Sequence, residues 1–321
     1  MISADEDHLT TSGSPRPLLV AIGDSDVHRA GLAYAIDVAR RERRGLRLVH
    51  VSPSLTGGGP ETMLLSFQAA ELVGQDLVHA AEEWVQDETG GAVPVEALVR
   101  RGLVADVLVE FAQEAEKVVL QHRRHSRLRR VFTGSVAAAV AGRSPVPVVS
   151  VPEGWSAEAR PQPRITAGIV GDESDETLLD HSFATASAVH GTLTVLHAWA
   201  LPTAYDDALV DRSALREWRS LSSDQVLERL TPWRSAYPDV EVRVQVDNQR
   251  AADALVKASG NSDLLLVGRS GGKHRIPHLG SLSRALIREA ACPVEIVPTH
   301  TDAGHRVAGS ESTREKRSTT A

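Results

Sequence analysis

The chain has 321 residues, 42% hydrophobic and 24% charged, the balance of a soluble globular protein with room for about two domains. A formal net charge of -7 and only 4% aromatic residues argue against nucleic acid, anionic membranes and base-stacking platforms. With no apolar run long enough to cross a bilayer, no secretory leader and a single cysteine, Cys292, the chain fits a reducing cytoplasm.

Residues 1–16 are polar and charged and read as a disordered tail, as do residues 299–321. Between them strands and helices alternate. Leu18 to Ile22 is a continuous apolar run, as expected of a strand buried on both faces of a parallel sheet. Ala30, Ala33, Ile36 and Val38 follow at roughly helical spacing, and Leu46 to Val51 is the next strand. After the breaker Gly57-Gly58-Gly59-Pro60, a long helix is predicted from about Thr62 to Asp87. Val93 to Val99, Val118 to Leu120 and Val146 to Val151 read as strands, with a helix from Val104 to Ala115.

Residues 153–163, with Pro161 and Pro163, form a linker that cannot continue a helix or an inner strand. Trp155 within it would either pin the two halves together or stand half-exposed. The order then repeats. Ile165 to Val170 is a strand, and Ser174 to Val189 a helix with a serine start. Leu193 to His197 is a strand, and Ala208 to Ser235 contains the long helix. Val240 to Val246, Ala251 to Ala258, Leu264 to Val267, Ser281 to Glu289 and Val294 to Val297 complete the set. The fold class is therefore α/β: two tandem, doubly wound, open parallel five-stranded sheets, residues 17–152 and 164–298.

Each half also closes on the same local text. Gly134-Ser135 opens a short helix that leads to Ser144-Pro145 and a terminal apolar strand; Gly280-Ser281 opens another that leads to Cys292-Pro293 and its strand. Gly-Ser at a helix start leaves backbone N–H groups free for an anion. Cys292, between Ala291 and Pro293, reads as a small buried residue.

The stretch Asp263 to Gly271, with Leu279 to Leu286 and Ala291 to Val294, resembles the C-terminal signature of universal stress protein domains. Both halves are similar to it, so the chain looks like a tandem universal stress protein of the actinobacterial kind. That resemblance implies a non-catalytic stress-response binding or regulatory protein, not an enzyme. It also implies two halves packed as an intrachain pseudo-dimer through their terminal strands, open to forming a homodimer and to binding a protein partner of unknown identity.

Family members that bind ATP carry Gly-x2-Gly-x9-Gly-Ser/Thr after strand four and an acidic residue at the end of strand one. Glycines let phosphates approach the backbone, and the helix start supplies donors. The resemblance places a nucleotide site in the second half on Gly268, Arg269, Ser270, Gly271, Gly272, Gly280, Ser281 and Leu282, with Asp172 as the acid. ATP with Mg2+ is the implied ligand. Two departures stand out: Gly271 and Gly280 are separated by one residue fewer than the family spacing, and Val170 occupies the acidic position. In the first half Gly134 and Ser135 survive, but Gln121, His122 and Arg123 replace the early glycines and Asp24 follows Gly23 one place late, a degenerate site.

Rival chemistries find little support. Gly272-Lys273 precedes His274 rather than Ser or Thr, so it is no P-loop, and no Gly-x-Ser-x-Gly elbow is present. The pairs His122/His125 and His274/His278 lack completing ligands for a metal. His50, His79, His181 and His197 are taken as core or surface polar residues. The basic loop 122–130 leaves two alternatives open, a nucleotide-independent docking module and a pocket filled by its own side chains. Slow ATP hydrolysis is a further alternative.

Overall fold

The computed structural model describes residues 15–23, 29–52, 60–122, 133–157, 160–199, 212–269 and 279–298, with backbone alone at 60–67, 133–135 and 212–220. The first half runs β1 (Leu18–Ile22), α1 (Arg29–Glu42), β2 (Leu46–Ser52), α2 (Pro60–Thr89), β3 (Val95–Arg101), α3 (Val104–Ala112), β4 (Lys117–His122), α4 (Thr133–Arg143) and β5 (Val148–Pro152). The second runs β6 (Arg164–Ile169), a 3-10 turn (Glu173–Asp175), α5 (Glu176–Ala188), β7 (Thr192–Trp199), α6 (Arg212–Arg229), α7 (Thr231–Ala236), β8 (Glu241–Asn248), α8 (Ala251–Ser259), β9 (Leu264–Gly268), α9 (Ser281–Glu289) and β10 (Val294–Val297). Among the described residues no helix is long and apolar enough to cross a membrane.

Within each half the strands are parallel, and the two five-stranded sheets merge edge to edge into one sheet ordered β3-β2-β1-β4-β5-β10-β9-β6-β7-β8. The central pair is antiparallel: Val294 faces Ser150, Glu295 faces Val149 and Ile296 faces Val148. This seam lets two edge strands satisfy each other's backbone groups within one chain.

The two faces of the sheet are built differently. On one, α3, α4, α8 and α9 cover a single apolar layer that runs through the seam from Leu19 and Val148 to Leu265 and Ile296. On the other, α1 and α2 cover the first half, with Tyr34 and Val149 in that core. There α5, α6 and α7 cover the second half around Phe183 and Leu266 in a separate core. A charged cluster described below lies between these two.

Several boundaries differ from the sequence reading for local reasons. The helix read from Ser174 is instead preceded by a 3-10 turn capped by Asp172, whose side chain accepts from the Ser174 backbone N–H. Asp175 is buried and accepts from the N–H groups of Val170, Gly171 and Asp172, so its carboxylate fixes the β6 exit. The stretch read as containing the long helix, Ala208 to Ser235, holds α6 and then α7, with Pro232 in the first turn of α7 where it need not donate; residues 208–211 lie outside the described residues. Pro94 immediately precedes β3, which therefore begins at Val95 and extends past Val99 to Arg101. The helix read to Ala115 ends at Ala112.

At the start of the first half, Arg44 donates to the Arg16 carbonyl. Residues 1–14 and 299–321, read as tails, lie outside the described residues. Trp155 docks on the first half, edge-on to Tyr34 with ring centroids 5.5 Å apart. At the other end of the linker Arg160 pairs with Asp263 at 3.1 Å.

Candidate functional site

A doubly wound sheet opens a crevice where the chain leaves adjacent strands in opposite directions, at their carboxyl ends. In the second half this point lies between β6 and β9, which pair from Ile165–Leu264 to Gly168–Val267. The β6 exit, the end of β7 and α6 line clefts at this point, and the start of α9 follows the neighbouring strand β9.

Gly171 forms the floor of its open side. Its φ of +101° suits glycine, and a Cβ there would stand 3.0 Å from His197 Cε1. A cleft of about 580 Å³ opens beside it, lined by Gly171, His197 and the α6 residues Ser222, Gln225, Val226, Glu228 and Arg229. A second cleft of about 580 Å³ shares Gly171 and Arg229 and continues over Asp172, Glu173 and Ser174. The His197 Nδ1 is buried and has no hydrogen-bond partner among the described residues. Arg229 donates to the Asp172 carbonyl, which places a cation at the rim.

At the start of α9, Gly280 is the N-cap in extended conformation, and no side chain caps the helix. Ser281 is exposed, while Leu282 packs against the shared apolar layer. Uncapped first-turn N–H groups and the positive end of the helix dipole suit an anion. Gly268 ends β9 at the same edge. Ser270, Gly271 and Gly272 lie outside the described residues.

Two residues assigned to this site are engaged elsewhere. Arg269 points across the seam: its Nη1 donates to the carbonyls of Ser144 at 2.7 Å and Ala141 at 3.3 Å, at the C-terminal end of α4. Burial lowers its pKa. Through these two contacts it braces the halves, from the position next to Gly268 where the site was read. Asp172 lines the cleft, but its carboxylate is held by the Ser174 hydroxyl and N–H, which keep it below the usual carboxylate range.

The equivalent place in the first half carries different side chains. Ile22 faces His50 and Ile169 faces His197, so β1 and β6, and the two histidines, correspond. Here His50 is buried with its Nδ1 3.0 Å from the Ile22 carbonyl. Helix α2 comes so near that a Cβ on Gly74 would sit 2.8 Å from the His50 ring. Opposite Val151, the residue before Pro152, stands Gln121; opposite Val297, before Pro298, stands Gly268. The Gln121 Oε1 accepts from the Gly31 N–H at 2.9 Å, so a side chain covers the first turn of α1 where the second half has a bare glycine. His122, read with the basic loop, instead ends β4 and is buried, its Nδ1 2.9 Å from Ser150 Oγ. Gly23 follows β1, Gly134 and Ser135 lie in the first turn of α4, and Asp24 and Arg123 to Arg130 lie outside the described residues.

The sequence reading passed over a third cluster. Glu295, on β10, is fully buried and its Oε1 lies 3.3 Å from Lys117 Nζ on β4 and 2.9 Å from His181 Nε2 on α5. Burial alone would raise the Glu295 carboxyl, but Lys117 and then His181 outweigh it and hold it at about 2. Burial would lower Lys117, yet Glu295 lifts it above the ordinary lysine range. Burial and then Glu295 push the nearby Tyr34 phenol up. Among the described residues no group of three His, Cys, Asp or Glu side chains is placed to hold a metal.

Comparison with known proteins agrees with this architecture. The sequence model of the universal stress protein family matches twice, at residues 15–152 and 163–298. A universal stress protein of Mycobacterium tuberculosis is 26% identical over 298 residues, covering 86% of this chain and 93% of its own. Another, of Mycolicibacterium smegmatis, is 26% identical over 295 residues, covering 90% and 99%. The crystal structure of a universal stress protein from Archaeoglobus fulgidus superposes with a TM-score of 0.60 at 15% identity, over 88% of this chain and 98% of that one, a likeness of fold.

Proposed function

The chain belongs to the universal stress protein family, and we propose that its second half binds ATP without catalysing a reaction on it, while the first half serves as scaffold. The observation that carries this reading is the contrast between the halves. Gly268 ends β9 beside β6 and α9 starts uncapped, whereas at the matching place in the first half the Gln121 side chain accepts from the Gly31 N–H.

In this arrangement the phosphates lie against the N–H groups of Ser281 and Leu282 and the backbone at Gly268, where the helix dipole favours negative charge. The base and ribose enter the cleft between His197 and α6, beneath Gly171. Magnesium arrives with the nucleotide, since the described residues supply no carboxylate cluster of their own.

Isothermal titration of the purified chain with ATP and ADP, with and without magnesium, tests the proposal. Saturable binding is expected; none at millimolar nucleotide would refute it. Gly268→Gln, which transplants the first-half side chain, is expected to abolish the signal, and Gln121→Ala to leave it unchanged. Equal losses in both would contradict the assigned asymmetry, and steady-state phosphate release would refute the non-catalytic reading.

A further inference from the structure

The seam between the halves is related by a pseudo-twofold axis, and its buried polar groups break that symmetry. Leu19 pairs with Val118, which pairs with Val148; Thr166 pairs with Leu265, which pairs with Val294. Val148 therefore corresponds to Val294, Val149 to Glu295, and Lys117 to Leu264. The same correspondence, applied to α1 and α5, matches Tyr34 with His181. In the observed register Val149 lies opposite Glu295. The anion is thus contributed by the second half alone and the lysine by the first half alone.

Two other pairings would preserve the backbone hydrogen bonds of the seam. Pairing β10 with β10 of a second copy puts Glu295 directly opposite Glu295, with Leu264 where the lysine stands now. Only the two His181 rings, each 2.9 Å from its own Glu295, would face that double negative charge, and they offset it only when protonated. Pairing β5 with β5 sets Val149 against Val149 and buries two Lys117 ammonium groups, each left with Glu42 at 3.7 Å, a carboxylate about one third exposed. A buried charge stripped of its partner is far costlier than the backbone pairing can offset.

We propose that Lys117 and Glu295 form a recognition code that makes the β5–β10 seam accept only a first half against a second half. The partner for which the β10 edge is built is therefore the first half of this chain, and like-with-like pairing between copies is excluded. Tyr34 in place of a second histidine adds no charge on the first-half side, so the code rests on one cation and one anion. On the opposite face the equivalents Val148 and Val294 are both buried and apolar, and Ser150, bonded to His122, stands where the second half has Ile296, so the strand residues there set no charge against a like charge. Selectivity lies on the α1–α5 face, and adhesion is shared by both.

The test exchanges the charges in the full-length chain: Lys117→Glu, Glu295→Lys, and the two combined. Each single substitution places like charges in the seam and is expected to lower the melting temperature by roughly 10 °C or more, or to prevent folding. The double variant is expected to regain a monomer clearly more stable than either single, though short of the wild type because the exchanged charges lose Glu42 and His181 as partners, which keeps the test decisive if the singles do not fold. The two single variants, differently tagged and refolded together, are expected to form a two-chain complex, because the first half of each complements the second half of the other. Singles that melt like the wild type, or a double variant no more stable than the worse single, would overturn the proposal. A double variant that recovers while the mixture yields no mixed complex would overturn it as well, since the charges would then hold the seam without choosing its partner.

Discussion

Replacing Glu295 by glutamine keeps the shape of the side chain and removes its charge from a fully buried site. The groups facing it are Lys117 from β4, His181 from α5 and Tyr34 from α1, with Glu42 reaching the same lysine. The carboxyl is held at about 2 in the folded chain against an ordinary value of 4.5. At about 1.4 kcal/mol per pH unit, that gap corresponds to about 3 kcal/mol of stability, in the range expected for breaking a buried ion pair. The sign follows from the direction of the shift. A carboxyl whose folded pKa is depressed contributes fully above its unfolded pKa, and the contribution disappears as the pH falls from 4.5 towards 2. At pH 7 the Glu295→Gln chain should therefore unfold about 3 kcal/mol more easily than the wild type, and by about pH 2 the difference should close. Urea unfolding of both chains across this range measures the gap directly, and acid effects from other carboxylates cancel in the comparison. Curves that stay parallel through the whole window would refute the reasoning, because Glu295 would then not be the group whose protonation weakens the seam.

Other outcomes follow from the same contacts. Arg269→Met removes two carbonyl contacts to the end of α4 and should cost about 2 kcal/mol in chemical denaturation; an unchanged midpoint would mean the brace is idle. Gly171→Ala adds a Cβ 3.0 Å from His197 Cε1 at a φ of +101°, so it should lower stability by about 1–3 kcal/mol and reduce the thermal shift produced by ATP. Burial, then Asp263, pushes the Cys292 thiol up to about 12, so it should resist a thiol-specific chromogenic reagent at pH 8 until denaturant is added. Rapid reaction of the native chain would show that the start of β10 opens.

Much of the fold is legible in the sequence because its signals are short-range. Continuous apolar runs mark β1 and β9, and the bounds Ser281–Glu289 and Val294–Val297 read from sequence are those of α9 and β10. Gly280, followed by an amphipathic run and then Pro293, states its own start and stop. Where the reading slipped, a neighbouring residue competed for the same role. Ser174 can cap a helix, but Asp172 and Asp175 take the cap and the turn before it, and only geometry decides among adjacent candidates. Pro232 was equally visible, but only the fold shows that the helix is divided there, α6 ending at Arg229 and α7 starting at Thr231. Of the glycines that mark the candidate site in the sequence, Gly268 ends β9 and Gly280 opens α9, while Gly271 and Gly272 lie outside the described residues.

The sequence by itself determined the two-fold repetition of strand and helix, the family, and the place where an anion would meet a helix start. Those follow from periodicity, turn chemistry and backbone freedom, which act over a few residues. Only the tertiary structure decided that Arg269 reaches the neighbouring half, that Gln121 holds the Gly31 N–H, and that Lys117, His181 and Glu295 form one buried cluster. A charge in the sequence carries no mark of its partner. That partner is chosen by strand register and by the antiparallel seam, which bring distant residues together in a medium where an unpaired charge cannot remain.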